Sequence, residues 1–444
     1  MSSRLRGPAM LVAVALIWTA SPAAQRLGYP AEEFTSRRAR LARVLERGTV
    51  VMFAATAPGP GVRVRQDNDF FYLTGNESLN AVLVMDAATA DAHLFLPRLT
   101  PGQIQFEGPN WLQEPGTAAR RGFASVQPLQ QLDAFLTRRR DEAGGSVVWA
   151  RLSNRDTVNS GRTDVSLQAA RRRSNPLTQY PSEEAQQAAT VRERFPDAEV
   201  RDITPHLDRL RVIKSAREIE ILRQVGRVSA EALQRAIQAT APGRFEYELE
   251  AEATHWMIRH GLQTAAYPAI VGSGPMGNQW HYEDNGRRMS AGELVVMDYG
   301  GSLDYLTVDI TRTWPVSGQF TPTQRRAYDT VLETQKAIIA TIRPGVTRAA
   351  VREVAERIFR QRGFDPRYAD VGHYVGLSVH DVGDWSLPFE AGMVMAIEPI
   401  IDLPDQQMHV RVEDTILVTP TGADVLTAAV PKEVDALLAL VPAR

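Results

Sequence analysis

The sequence predicts two units in series: an α/β domain over residues 25–204, then an α+β domain over residues 205–444 built from a duplication. Three observations carry this. A chain of 444 residues is too long for one ordinary core, so more than one domain is expected. In the first unit short apolar runs alternate with helical stretches, the pattern of a sheet covered by helices. In the second unit a segment recurs: Ala-Gly-Glu-Leu-Val-Val-Met-Asp ends on Asp298, and Ala-Gly-Met-Val-Met-Ala-Ile-Glu ends on Glu398, 100 residues later. Val308-Asp309 likewise returns as Val412-Glu413, with Gly318 and Gly422 closing each segment at the same offset of 104.

Residues 1–24 stand apart. Arg4 and Arg6 precede an apolar stretch from Ala9 to Ala20, and small residues Ser21 to Ala24 follow. This is the pattern of a cleaved secretory signal and is too short to span a bilayer; a retained anchor is the alternative. Cleavage leaves no stable membrane span and implies a periplasmic or secreted protein. It also moves the formal net charge from -2 to -4 by removing two arginines and no acids. So mild an acidic balance argues against nucleic acid as a partner. The runs Arg37-Arg38, Arg138 to Arg140 and Arg171 to Arg173 read as solvated faces. With no cysteine, disulfides and lipid attachment at a cysteine are excluded.

The first domain opens with a charged helix, Arg37 to Arg47, and continues with strand-like runs at Val50 to Ala55, Ala81 to Met85, His93 to Leu96 and Ser146 to Ala150. The polar stretch Arg151 to Ser182 has no clear period and reads as surface loops and a helix leading out. The second domain begins with an amphipathic helix, Ile213 to Ala232, with Ser215 placed to cap it. Pro-Gly at 242–243 and 344–345, then Gly261 and Gly363, repeat at an offset of 102 and bracket the helices Glu246 to Arg259 and Arg348 to Gln361. Each half therefore reads as helix, turn, helix, glycine stop and strands.

The chemistry lies in the strands. Asp298 ends an apolar strand, and Asp309 falls in the alternating run Thr307 to Thr313 of its hairpin partner. Glu398 and Glu413 occupy the equivalent places, Glu413 within Val410 to Ile416. Four carboxylates among apolar neighbours call for positive charge, and two divalent cations balance them while His373 stays neutral. An oxygen-rich set suits Mn²⁺ better than a structural zinc site, with Co²⁺, Zn²⁺ or Fe²⁺ as alternatives. Such ions acidify water and polarise carbonyls, which is hydrolytic chemistry. His373 and His380 lie in Gly-His-Tyr-Val-Gly-Leu-Ser-Val-His-Asp, where Gly376 can break the strand and let both rings reach one cavity. His255 and His260 read as surface residues.

At this point the chain resembles the pita-bread metallopeptidases, the family of methionine aminopeptidase, prolidase and Xaa-Pro aminopeptidase. The resemblance rests on Met297-Asp-Tyr-Gly with a second Asp eleven residues on, the His373 to Gly383 segment, Ile397-Glu398-Pro399 and Val410-Arg411-Val412-Glu413-Asp414. In the first domain Arg65-Gln-Asp-Asn-Asp-Phe-Phe-Tyr-Leu-Thr-Gly75 is similar to Xaa-Pro aminopeptidases and prolidases. The resemblance implies an α/β creatinase/prolidase-like domain followed by a duplicated α+β pita-bread catalytic domain. It implies that Asp298 binds one metal, that Asp309 and Glu413 bridge both, and that His373 and Glu398 bind the other. Glu398 would also take a proton from the nucleophile. His281 and His380 match substrate-facing histidines, and Arg411 an arginine near the substrate. A proline-containing peptide is the implied substrate, and pairing through the N-terminal domain is the implied assembly. One departure concerns the wall beside Glu398: the family continues Glu-Pro-Gly with a later aromatic, whereas Ile400-Ile401-Asp402 stands here.

Three other readings are weighed. Gly272-Ser-Gly-Pro-Met-Gly277 fits a dinucleotide fingerprint, but Pro275 and the polar residues after it start no helix to hold a pyrophosphate. A catalytically inactive binding protein would be expected to lack metal ligands, and all five are present. An Xaa-Pro dipeptidase must hold the proline carboxylate, for which Arg411 is a candidate, and that reading stays open beside the aminopeptidase.

Overall fold

A computed structural model of the chain describes residues 28–56, 65–143, 147–177 and 180–442. The expected signal segment lies outside the described residues. Among those described, no helix is long and apolar enough to cross a membrane.

The first domain is a six-stranded sheet with the α/β character expected. Its strands are Thr49–Phe53 (β1), Val82–Asp86 (β2), Ala92–Leu96 (β3), Ser125–Pro128 (β4), Val147–Ala150 (β5) and Glu199–Asp202 (β6), ordered β4-β3-β2-β1-β5-β6. β1, β2 and β3 form an antiparallel meander, while β4, β5 and β6 join in parallel. The opening helix, Ala31–Leu45, starts earlier than expected. It also corrects one expectation, because Arg37 and Arg38 are buried. Arg37 pairs with Glu218 at 3.0 Å and lies over the Tyr72 ring, and Arg38 donates to Leu73 O at 2.8 Å. Glu33, one helical turn earlier, also pairs with Arg37 at 3.1 Å, but Glu218 and Tyr72 lie far away in sequence, which is why the doublet reads locally as a surface run.

The duplicated half-domains are visible element by element. In the first half the helices Ala216–Ala239 and Glu246–Arg259 flank Gly243 (φ +88°), and Gly261 (φ +92°) ends the second. In the second half Pro322–Thr341 and Arg348–Arg362 flank Gly345 (φ +86°), and Gly363 (φ +75°) closes the pair. These are left-handed positions that only glycine occupies readily. Ser215 caps its helix as expected, with Glu218 completing a capping box.

The strands follow as Thr264–Ala265 (β7), Ile270–Ser273 (β8), Leu294–Asp298 (β9), Gly301–Leu303 (β10), Leu306–Thr307 (β11), Thr311–Pro315 (β12), Gly372–Tyr374 (β13), Val394–Ile397 (β14), Ile400–Leu403 (β15), Met408–Arg411 (β16), Asp414–Val418 (β17) and Ala423–Val425 (β18). They assemble as β12-β9-β8 in one half and β13-β14-β17-β18 in the other, with β11-β10-β7 and the β15-β16 hairpin beside them. Here a second expectation is corrected. Thr307 to Thr313 and Val410 to Ile416 are not single strands: the chain leaves β11 for β12 through Val308 to Ile310, and β16 for β17 through Val412-Glu413.

Both breaks are held from the opposite half. Thr415 Oγ1 accepts the Asp309 N–H at 2.9 Å and donates to Asp309 O at 2.7 Å. Reciprocally, Thr311 O accepts the Glu413 N–H at 3.0 Å and Thr311 Oγ1 donates to Glu413 Oε2 at 2.7 Å. Buried Arg312 ties the seam to the end of the chain, donating to Glu413 O (2.6 Å), Asp414 Oδ1 (2.8 Å) and Val430 O (3.0 Å).

The Arg65 to Gly75 motif joins the domains. Arg65 donates to Tyr305 O and Leu377 O, both at 2.7 Å, and Phe71 stacks on Tyr305 with 3.6 Å between centroids. Asp69 receives Arg211 at 2.7 Å, and Arg211 reaches on to Asp156 and Asp381 at 2.6 Å each. The stretch from Arg151 to Ser182 therefore differs from its reading as plain surface. It contains the expected helix, Arg162–Arg173, but its buried Arg151 and Asp156 belong to the domain seam.

Candidate metal centre

The two strand breaks and the ends of β9 and β14 bring the four carboxylates together. One ligand-type oxygen from each of Asp298, Asp309 and Glu413 lies within 4.8 Å of the others, and His373, Glu398 and Glu413 form a second such group. His373 Nε2 sits 3.2 Å from Asp309 Oδ2, 3.6 Å from Glu398 Oε1 and 3.9 Å from Glu413 Oε1. Its Nδ1, 3.1 Å from Tyr374 O, donates to that carbonyl and so turns Nε2 inward. All five residues singled out as metal ligands converge on one space.

The donor set fits divalent cations. Glu413 Oε1 is buried without a hydrogen-bond partner, an orphan that a cation would satisfy. Burial, then repulsion from Asp309, raises the Asp298 and Glu413 carboxyls well above the usual range. Burial also works to raise Asp309, but the His373 ring outweighs it and holds that carboxyl below the usual range. Burial works to lower His373, and Asp309 instead pushes it up to about 9. Acidic groups crowded so closely stay together by sharing protons or by binding metal.

Arg411, at the end of β16, donates to Asp298 Oδ2 at 2.8 Å and lies 3.7 Å from Glu398 Oε2. His380 is half-buried, its ring 4.3 Å from that of His373, so the chain reversal after Gly376 brings the two rings side by side. His281 is exposed, beyond the 3-10 turn Gly274–Asn278. That turn follows β8, and no α-helix opens there, as expected for a sequence that only mimics a dinucleotide fingerprint. At the departure beside Glu398, Asp402 accepts from His409 Nδ1 at 2.9 Å and from Asn278 Nδ2 at 2.6 Å.

Two contributors carry no sequence signal. The Tyr267 hydroxyl stands between Asp298 Oδ1, at 2.6 Å, and Asp309 Oδ1, one proton serving two acceptors. A lone tyrosine before Pro268 has no spacing that marks it. Asp164, in the polar stretch between β5 and β6 of the first domain, faces His380 Nδ1 at 2.8 Å.

Comparisons with known proteins agree with this geometry. Residues 220–420 match metallopeptidase family M24, and residues 34–149 match the aminopeptidase P N-terminal domain. The Xaa-Pro aminopeptidase of Escherichia coli is 37% identical over 271 residues, which is 53% of this chain and 62% of that protein's length. Xaa-Pro aminopeptidase 3 of Rattus norvegicus is 30% identical over 414 residues, covering 83% of this chain and 75% of its own. The solved structure of aminopeptidase P from Escherichia coli with the inhibitor Pro-Leu superposes with a TM-score of 0.80 at 28% identity, covering 93% of this chain and 98% of that one. With its duplicated fold, its convergent ligand set and these matches, the chain belongs to the pita-bread metallopeptidases of family M24, in the Xaa-Pro aminopeptidase subgroup.

Proposed function

We propose that this protein is an exported Xaa-Pro aminopeptidase that uses two divalent ions, Mn²⁺ by preference, to release the residue before a proline at position two. The observation that carries the reading is the convergence of four carboxylates and His373 within overlapping groups of 4.8 Å, with Glu413 Oε1 left unpartnered. The activities named for its Escherichia coli and rat relatives support the substrate class. Export rests on the signal-like residues before Gln25, and pairing through the N-terminal domain on the family resemblance.

Asp298, Asp309, His373, Glu398 and Glu413 would hold the ions, which when bound acidify a water and polarise the scissile carbonyl. Glu398 would accept the proton given up by the attacking water. His380 and His281 steady the scissile amide and its developing oxyanion. Tyr267 and Arg411 keep Asp298 aimed into the cluster. An Xaa-Pro amide has no N–H, so the pocket recognises the proline ring rather than a backbone donor.

The dipeptidase reading draws on an Xaa-Pro dipeptidase of Pyrococcus furiosus, 34% identical over 223 residues. Here Arg411 is committed to Asp298 and Glu398, which leaves it less suited to a proline carboxylate and favours the aminopeptidase. The test is Mn²⁺-stimulated release of the first residue from Xaa-Pro-Yaa peptides. Cleavage of Xaa-Pro dipeptides with tripeptides untouched would make the protein a dipeptidase. If purified protein neither contained nor responded to a divalent ion, an inactive binding protein would replace both.

A further inference from the structure

We infer that Asp164 is a positioning residue for His380, a carboxylate supplied from outside the catalytic domain that fixes which nitrogen of that ring faces the metal ligands. The regions matched to the two families, 34–149 and 220–420, both leave it out.

Asp164 Oδ2 accepts from His380 Nδ1 at 2.8 Å and from the Gly161 N–H at 3.1 Å. It sits in the first turn of the helix Arg162–Arg173, where the helix dipole favours a negative charge. The surrounding chain leaves it little freedom. Next to it Arg162 holds Asp69 and Asp208, each at 2.9 Å. A Cβ on Gly161 would fall 2.3 Å from His380 O, so glycine alone allows this approach. The Val379 N–H donates to Val158 O at 2.8 Å, pinning the histidine segment to the same loop.

A neutral imidazole carries one N–H, and an acceptor at Nδ1 places the proton there. Nε2 is then the nitrogen left for a peptide, and the ring plane is fixed with it. His373 is oriented by the same logic through the backbone carbonyl of Tyr374. The site thus has two histidines held at Nδ1, one by the backbone beside it and one by a carboxylate more than 200 residues earlier. With Asp164 removed, the His380 ring keeps its place but loses its choice of tautomer. Asp164 is 38% exposed, so its truncation opens no buried cavity and costs only the Gly161 cap besides the His380 contact.

The inference rests on the proposed peptidase reading for its kinetic consequence, and its test has an arm that does not. In the metal-free full chain, imidazole ¹⁵N spectra assigned with His380→Gln should show His380 protonated at Nδ1. Asp164→Ala should move that signal to a mixture of tautomers, and Asp164→Glu should restore it in part. A wild-type His380 protonated at Nε2, or a spectrum unchanged by Asp164→Ala, overturns the inference. In the Mn²⁺-loaded enzyme, Asp164→Ala should lower kcat about 10- to 100-fold, the usual effect of removing a histidine's outer partner. KM should stay within about 2-fold and bound metal should not change, whereas an unaltered kcat would sink the catalytic role. If wild-type protein cleaves no Xaa-Pro peptide, the peptidase reading falls, and the nitrogen spectrum still decides the pair.

Discussion

Asp309 faces His373 Nε2, shares the Tyr267 hydroxyl with Asp298, and has both backbone polar groups tied to Thr415. Asp309→Ala should therefore lower turnover by more than the roughly 100-fold expected for an outer partner, with circular dichroism unchanged. Unaltered turnover would refute a two-metal mechanism. A pH effect follows from the same pair. His373 in the metal-free protein is pushed up to about 9, and Asp298 and Glu413 are also raised. Groups raised on folding stabilise below their unfolded values and lose that contribution as pH climbs through the folded ones. The His373 share of this stability should thus fall between about pH 6.5, the unfolded value of histidine, and pH 9, and the share of the two carboxyls from about pH 4 upward. Saturating Mn²⁺ should reverse the loss, by about 2.7 kcal/mol at 100 times Kd, and its binding should release protons that calorimetry in two buffers can count. The cluster of four carboxylates was legible because charged groups among apolar residues need a reason. Tyr267 was not, since a tyrosine in an apolar run needs none.

At the scale of elements, the strand breaks decide where Asp309 and Glu413 point. Thr415→Val keeps shape and volume but strands the buried Asp309 N–H, at a cost of about 1–3 kcal/mol. It should lower the thermal midpoint and weaken Mn²⁺ binding together; a fall in midpoint with metal affinity intact would separate the break from the site. Helices, glycine stops and most strands could be read locally, from spacing, caps and apolar runs. The breaks could not, because Thr307 to Thr313 alternates like any strand and its interruption is imposed by Thr415, 106 residues from Asp309. Arg37 and Arg38 failed for a related reason: a charge run shows nothing of a partner such as Glu218.

Across the whole molecule, the buried fork of Arg211 among Asp69, Asp156 and Asp381 makes the domains one mechanical piece. Arg211→Met leaves Asp69 and Asp156 to Arg162 and Asp381 to Lys214, so the cost should fall below the roughly 3–5 kcal/mol of a buried charge left wholly unpaired. The first thermal transition should fall accordingly, and a midpoint unmoved by the substitution would show that the seam bears no load. The reciprocal threonine bonds and the reach of Arg312 to Val430 have a consequence in time as well as in space. A growing chain carries Asp298 and Asp309 more than 100 residues before it carries Glu413 and Thr415, and Glu398 only 15 residues before Glu413. Until those last residues are added, Asp309 lacks its Thr415 anchor and the carboxylate cluster lacks Glu413. A chain cut short of Glu413 should therefore bind Mn²⁺ more weakly than the full chain, a difference that calorimetry would read.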